Sequence, residues 1–198
     1  MRVGTDRIQQ IVLSLRNFSR VDEAEFKEVD IHEGIDSTLL ILQHRLKAKS
    51  NSPAIKLVKD YGNLPLVQCY PGPLNQVWMN ILSNAIDALD ERNAQQDCQA
   101  IKVNPAQIRI TTSKLESSWV QIEFSDNGAG IPEPVRQRIF EPFFTTKEIG
   151  KGTGIGMSIS YQVVTEKHKG RLHCESSPYA GTTFTIQIPV VQQMPNVQ

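Results

Sequence analysis

The sequence has few residues of the kinds that bind metals or form disulfides, and it has no net charge. Its 198 residues include three cysteines, four histidines and no C-x-x-C pair, and 21 basic side chains balance 21 acidic ones. Three widely spaced cysteines exclude a disulfide framework and indicate thiols in a reducing compartment, so we expect a cytoplasmic location. The absence of a basic excess argues against nucleic acid as a partner.

The chain also lacks long apolar segments. No apolar run approaches the ~20 residues that a membrane-spanning helix needs, and the first residues show no signal-peptide pattern. A longer, membrane-associated parent protein is compatible with this. Hydrophobic residues make up 39% of the chain and charged residues 21%, which is typical of a globular protein with a sizeable core.

Hydrophobic periodicity predicts a mixed order of strands and helices. Strands are predicted at 26–31, 54–62, 65–70, 107–115, 118–126, 171–177 and 182–190. Helices are predicted at 32–49, 74–92, 132–140 and 154–168, with a loop at 93–106 and a cap at Gly170. This order predicts an α+β fold, a two-layer α/β sandwich with the helices on one face of the sheet.

The first 25 residues form a separate unit in this prediction. Between residues 5 and 20 the apolar side chains recur at helical spacing, at Ile8, Ile11, Val12, Leu15 and Phe18. Such a stripe requires a partner helix. We therefore expect an appended helix and connector at 1–25 and a globular domain at 26–198.

Three polar clusters interrupt the regular elements. Asn80 and Asn84 lie four residues apart on one face of a helix, and amide oxygens suit Mg²⁺, although they could equally tie the helix to a loop. Asp126 opens the segment DNGAGIP at a strand end, where its carboxylate could accept from an adenine amine, or where the segment is only a turn. The segment GKGTGIGMS (150–158) fits neither a Walker loop nor a dinucleotide fingerprint, and alone it is equally consistent with a flexible surface loop.

Taken together, these segments resemble a known family. The order NxxxNAxDA, DNGAGIP, FEPFFTTK, GKGTGIGMS and GTTF over residues 26–190 resembles the Bergerat ATP-binding domain of sensor histidine kinases. The segment TDRIQQIVLSLRNFSRVDE is similar to the second helix of the dimerisation and phosphotransfer hairpin of these kinases. The acceptor motif of the first hairpin helix is absent, and His32 lacks its context, so the resemblance implies no catalytic acceptor in this chain.

The resemblance implies a site for ATP and Mg²⁺. Asn84 would bind the metal with support from Asn80, Asp126 would read the adenine amine, and residues 145–153 would form a lid. Lys147 and Lys151 would contact phosphates, and Thr182 would reach adenine through water. The full implied set is Asn80, Asn84, Asp87, Ala88, Asp126, Gly128, Gly130, Ile131, Phe144, Thr145, Thr146, Lys147, Lys151, Gly152, Thr153, Gly154, Ile155, Gly156, Met157 and Thr182.

The family also implies a reaction and its partners. These are transfer of the γ-phosphate to a histidine outside the fragment, the kinase's own phosphoacceptor hairpin, a response regulator, and a homodimer of the full-length parent. Two alternatives stay open. One is an ATPase of the gyrase, chaperone or mismatch-repair type, and the other is a nucleotide-binding interaction module without turnover. Asn80 stands where those ATPases carry a general-base Glu, and this favours transfer over hydrolysis.

Overall fold

A computed structural model of the protein describes residues 26–48, 53–96, 98–116, 118–147 and 153–192. In chain order the strands are β1 (Lys27–Val29), β2 (Lys56–Tyr61), β3 (Val67–Cys69), β4 (Gln107–Leu115), β5 (Trp119–Asp126), β6 (Arg171–Ser177) and β7 (Gly181–Pro189). The helices are α1 (Ile31–Leu46), α2 (Pro71–Gln95), α3 (Cys98–Val103), α4 (Glu133–Arg136) and α5 (Gly156–Gln162), and a π-helical turn, Val163–Lys167, follows α5.

Five strands form the main sheet, in the order β2-β4-β5-β7-β6. β2 runs parallel to β4, and the other neighbours are antiparallel, which confirms the predicted pairing of 107–115 with 118–126. β1 and β3 form a separate antiparallel pair. In the register of β5 with β7, Asp126 lies directly opposite Thr182.

One face of the sheet is covered by helices. Alternate residues of β5 are fully or almost fully buried, as in Val120, Ile122 and Phe124, because successive strand side chains point to opposite faces. The ring of Trp78 on α2 packs against Phe124 with centroids 5.5 Å apart. The two-layer α+β architecture predicted from the order of elements is therefore confirmed.

Several element boundaries differ from the sequence-based expectation, and the helix predicted at 132–140 spans only Glu133–Arg136. The segment predicted as a loop at 93–106 contains α3, whose six residues are too few to produce a readable helical period. Helix α2 begins at Pro71 rather than at Leu74. Proline fits the first helical position because its fixed φ suits the helix and its missing N–H would have had no partner there.

Gly170 is not the left-handed residue that ends this helical segment, as its predicted capping role would require. The left-handed residue after the π-helical turn is Lys169, with a φ of 51°. Gly170 instead donates its N–H to the carbonyl of Val164 at 2.8 Å. A Cβ on Gly170 would lie 2.4 Å from the carbonyl oxygen of Gln187 on β7. Glycine is required here because the chain passes against the sheet backbone.

Among the described residues no helix is both long and apolar enough to cross a membrane. The helix predicted for residues 5–20 lies outside the described residues. Cys69 and Cys174 are both free, and burial raises the pKa of each thiol to about 12.

A buried imidazole joins the π-helical turn to the start of α2. His168 has no solvent exposure, its Nδ1 lies 2.7 Å from the Val163 carbonyl oxygen, and its Nε2 lies 3.1 Å from the Tyr70 amide nitrogen. The Tyr70 N–H donates to Nε2, so the proton of the neutral ring is on Nδ1 and donates to Val163. Burial lowers the pKa of His168 to about 4.

This geometry predicts a pH-dependent contribution to stability. The unfolded chain takes up a proton on His168 below its usual pKa near 6.5 while the folded protein does not, so this contribution is full above that pH and is lost as the pH falls toward 4. Urea unfolding at pH 7 and pH 5 should show wild type losing about 2 kcal/mol more than His168→Gln, which cannot titrate. Equal losses in the two proteins would contradict the assignment.

Candidate functional site

The outer face of α2 carries an acidic and amide cluster that binds two cationic side chains. Lys147 places its Nζ 3.0 Å from Asn84 Oδ1 and 2.5 Å from Asp87 Oδ2. Arg45 of α1 contacts the other Asp87 oxygen at 2.5 Å. Partial burial would raise the pKa of Asp87, but the hydrogen bonds from Lys147 and Arg45 outweigh it and hold this pKa below its usual value.

Asn80 connects α2 to α5. Its Nδ2 donates to the Gly156 carbonyl oxygen at 2.9 Å and to Ser160 Oγ at 3.1 Å. Ser160 Oγ in turn donates to the same carbonyl. A Cβ on Gly156 would lie 3.3 Å from the Asn80 amide, so this glycine allows the two helices to approach. The structure thus brings the first polar cluster and the glycine-rich segment together.

The carboxylate of Asp126 lies at the edge of the sheet beside α2. Its Oδ1 accepts the Gly128 N–H at 2.8 Å. A Cβ on Gly128 would lie 2.9 Å from the Ala88 Cβ and 2.8 Å from Asp126 Oδ1, so the turn packs directly on the helix. Burial raises the pKa of Asp126 to about 6, against the opposing effect of hydrogen bonds from the Gly128 and Thr182 backbone N–H groups.

Two hydroxyl groups lie next to the Asp126 turn. Ser176 Oγ lies 2.9 Å from Thr182 Oγ1 and accepts the Ile131 N–H at 2.8 Å. The sequence did not single out Ser176, because a lone serine in a strand carries no motif. Gly130 has a φ of 73°, and its Cβ would overlap the Ser177 carbonyl, so the DNGAGIP turn is held against β6 as well as α2.

The chain at Phe143 lies directly against Gly154. Gly154 has a φ of 66°, and a Cβ there would lie 2.5 Å from the Phe143 carbonyl carbon. Phe143 is itself in a left-handed conformation and is 76% exposed. Phe144 is partly buried, and the Arg138 guanidinium lies 4.3 Å from the centre of its ring.

The remaining predicted site residues vary in their surroundings. Thr145, Thr146 and Thr153 are exposed, and Thr145 Oγ1 accepts the Lys147 N–H at 3.2 Å. Met157 and Ile131 are partly buried against the hydrophobic core. Ile155 uses its carbonyl to accept the Ser158 hydroxyl. Lys151 and Gly152 lie outside the described residues.

A buried arginine that no motif identified positions the Asp126 turn. Arg92 near the end of α2 is 6% exposed and donates to the backbone carbonyls of Asn127, at 2.6 Å, and Asn104. The Asn127 side chain continues this network, since its Oδ1 accepts the Gln107 N–H and its Nδ2 donates to Asn104 and Pro105. These contacts link residues far apart in sequence, so a local pattern cannot predict them.

His32 is engaged elsewhere. Its ring stacks on Tyr61 with centroids 4.2 Å apart, and its Nε2 lies 2.9 Å from Thr112 Oγ1.

Known proteins share this arrangement. Residues 70–192 match the model of the histidine kinase-, DNA gyrase B- and HSP90-like ATPase family. The chain belongs to this family.

Two relatives of this family member are named as kinases. It is 30% identical over 186 residues to sporulation kinase E of Bacillus subtilis, covering 94% of this chain and 23% of the relative. It is also 30% identical over 189 residues to the signal transduction histidine-protein kinase AtoS of Escherichia coli, covering 95% of this chain and 28% of AtoS. The chain thus spans about a quarter of the length of these relatives.

A solved structure supports the same assignment. The nucleotide-free catalytic domain of histidine kinase ThkA aligns with a TM-score of 0.67 and 28% identity, covering 84% of this chain and 96% of that one. The family and the fold expected from the sequence resemblance are therefore confirmed.

Arg92 provides a test of what holds the Asp126 turn. Arg92→Met should lower the free energy of unfolding by about 3 kcal/mol, because the backbone carbonyls of Asn127 and Asn104 lose the charged donor that the buried guanidinium supplies. Arg109→Met is the matched control, since Arg109 is 47% exposed in its ion pair with Asp60, and it should cost less than about 1 kcal/mol. Urea unfolding of both variants measures the difference. Equal losses would show that the buried network does not stabilise the fold.

Proposed function

We propose that this chain is the ATP-binding catalytic part of a sensor histidine kinase, which transfers the γ-phosphate of ATP to a histidine side chain. The observation that carries the proposal is the position of the Asp126 carboxylate. It lies beside α2, the helix whose outer face presents Asn84 and Asp87. A base-reading acceptor and a metal-binding face on adjoining elements are what a nucleotide site requires.

In this proposal the Asp126 side chain reads the adenine. Its carboxylate accepts from the exocyclic amine, and the adjacent Thr182 hydroxyl, which donates to Ser176 Oγ, accepts from a bridging water. Ile131 provides an apolar surface for the base. Position 128 is glycine because any side chain there would collide with Asp126 and Ala88.

The residues on α2 fit a magnesium ion. Asn84 offers an amide oxygen and Asp87 a carboxylate, and both already contact one cation, the Lys147 ammonium. Mg²⁺ binds through one or two such oxygens with waters and substrate phosphates completing its shell. Among the described residues no group of three or more His, Cys, Asp or Glu could hold a metal by itself, which agrees with such an open site. When bound, the ion supplies charge neutralisation at the phosphates.

Transfer is favoured over hydrolysis by the surroundings of Asn80. An amide has no useful basicity near neutral pH, and this one is already committed as a donor to Gly156 and Ser160. The described part of the site therefore offers no base at this position to activate water. In phosphotransfer, the phosphoacceptor hairpin brings in the nucleophile instead of water.

The partners follow from the same proposal. They are ATP, the phosphoacceptor hairpin of the parent kinase, a response regulator that receives the phosphate, and a second copy in a homodimer of the parent protein. The segment 1–25 would be the second hairpin helix. A module that binds nucleotide without turnover is the second candidate, because this chain carries no acceptor in the expected context.

The pKa of Asp126 predicts how nucleotide affinity depends on pH. Below about pH 6 the folded protein carries a protonated Asp126, which is a poorer acceptor, so the affinity of wild type for ATP with Mg²⁺ should fall about tenfold between pH 7 and pH 5. Asp126→Asn should bind at least about tenfold more weakly at pH 7 and lack this dependence.

Calorimetric titration of both proteins at pH 7 and pH 5 measures their affinity for ATP with Mg²⁺. The titration of the nucleotide phosphates is common to both proteins and cancels in their ratio. Asp60→Asn, on the exposed side of β2, is the control and should behave as wild type. An Asp126→Asn protein with unchanged affinity would refute the role of this carboxylate.

Phosphotransfer is tested with ATP labelled on its γ-phosphate and a phosphoacceptor hairpin added in trans. Acid-labile, base-stable label should appear on the hairpin and should be lost in Asn84→Ala, while free phosphate stays low. Nucleotide binding without label on the full-length parent protein would favour the non-catalytic module.

Asn80→Glu tests the choice between transfer and hydrolysis. It should raise hydrolysis, since a carboxylate at this position can act as a base, but it also loses two donor contacts to α5. Asn80→Ala is the matched control for those lost contacts. Hydrolysis that rises equally in both variants would contradict a base effect.

A further inference from the structure

The turn after β5 contains the dipeptide Asn127–Gly128, the only place in the sequence where a glycine follows an asparagine. This dipeptide is chemically labile, because glycine has no side chain that would keep its backbone nitrogen away from the preceding amide. The nitrogen can attack the side-chain carbon of the asparagine and convert it into a cyclic imide. A reactive pair of residues therefore lies directly beside Asp126.

The modification needs no enzyme, and its chemistry balances. The Gly128 nitrogen gives up its proton and bonds to Asn127 Cγ, while the bond from Cγ to Nδ2 breaks and Nδ2 leaves with that proton as ammonia. Water then opens the imide. Attack of water at Cγ gives aspartate, and attack at the backbone carbonyl carbon gives isoaspartate, in which the main chain runs through Cγ. Water is the only co-reactant, and nothing is oxidised or reduced.

In the folded protein both polar atoms of the Asn127 side chain are held. Its Oδ1 accepts the Gln107 N–H at 2.8 Å. Its Nδ2 donates to Asn104 Oδ1 at 2.9 Å and to the Pro105 carbonyl oxygen at 3.0 Å. Ring closure has to turn Cγ toward the Gly128 nitrogen, and these hydrogen bonds oppose that rotation.

The attacking nitrogen and the adjoining peptide group are held as well. Gly128 donates its N–H to Asp126 Oδ1 at 2.8 Å, and a carboxylate so close disfavours the negative charge that forms as the nitrogen loses its proton. The Asn127 carbonyl accepts from the buried Arg92 guanidinium at 2.6 Å. Gly128 is itself buried against Ala88. We call the contacts of Asn127 the turn network, and its partners are Arg92, Asn104, Pro105 and Gln107.

We propose that Asn127–Gly128 is a site of spontaneous covalent modification, which the turn network protects in the folded protein and which reacts when this network opens. Local opening is a property of all folded proteins, so the reaction proceeds from the small open population. Neither product can rebuild the turn network. Aspartate places an oxygen where Nδ2 donated to two other oxygens, and isoaspartate lengthens the main chain of a turn that packs closely on α2.

Incubation at pH 8, followed by peptide mapping with mass spectrometry, measures the reaction in the full chain. The aspartate and isoaspartate peptides share one mass, which differs from that of the asparagine peptide, and chromatography separates them. Folded wild type should form both products at residue 127 at least about tenfold more slowly than the same chain unfolded in guanidinium chloride, because only the open fraction reacts.

Asn104→Ala is the decisive variant. Asn104 is exposed, so its truncation leaves the core intact while it removes one acceptor of Asn127 Nδ2. The folded variant should react about fivefold faster than wild type, which corresponds to the loss of one hydrogen bond. Arg92→Met should react at least about tenfold faster, since it loses a charged donor. Asn63→Ala, in the exposed loop before β3, is the matched control and should react as wild type. Circular dichroism during the incubation confirms that each variant stays folded.

The consequence for nucleotide binding rests on the proposed function. Because residue 127 lies between Asp126 and Gly128, the fraction of protein that binds ATP with Mg²⁺ should fall in step with the fraction modified. Calorimetric titration of incubated wild type measures that fraction. Modified protein that binds ATP normally would contradict the role of this turn in nucleotide binding, whereas the mass measurement, made without nucleotide, would still establish the modification site.

Three results would overturn the proposal itself. An unfolded chain that forms no product at residue 127 would mean that the pair is not reactive. Equal rates in the folded and unfolded wild type would mean that the fold gives no protection. Equal rates in folded Asn104→Ala and Asn63→Ala would mean that the turn network is not what protects the site.

Discussion

The proposed nucleotide site depends on one close contact, between the turn after β5 and the surface of α2. Gly128 lies against Ala88 so closely that a single added carbon would meet both Ala88 and Asp126. This close packing places the Asp126 carboxylate beside the helix. Arg92, four residues after Ala88 on the same helix, also holds this turn, through the Asn127 carbonyl. The geometry of the site is therefore set by the close packing of the turn on α2 and by the buried Arg92 side chain.

Helix α2 carries most of the remaining organisation. Its inner face packs into the core, its outer face presents Asn84 and Asp87, and Asn80 joins it to α5. The buried His168 joins the start of α2 to the end of the π-helical turn. Three segments from different parts of the chain thus contact the same helix. These contacts bring residues more than sixty positions apart into one site.

Much of this fold could be predicted from the sequence, because strand alternation and helical spacing are local signals. The pair Asn80 and Asn84 was visible for the same reason. Arg92 and Ser176 were not visible, because their roles consist of contacts with residues distant in the chain. The helix at 98–103 was missed since it is too short to show a period. The roles of Gly156 and Gly170 depend on what lies opposite each of them, and no sequence pattern contains that information.

Two cationic side chains share the carboxylate of Asp87, and this affects how one of them can be replaced by another cation. One oxygen is bound by Lys147, while the other is bound by Arg45 from a different helix. Departure of Lys147 does not strand an isolated negative charge, because the guanidinium stays in place. The electrostatic barrier to replacing one cation by another is thereby reduced before any ligand arrives. Arg45, which the sequence did not single out, acts as a permanent counter-ion that makes its neighbour replaceable.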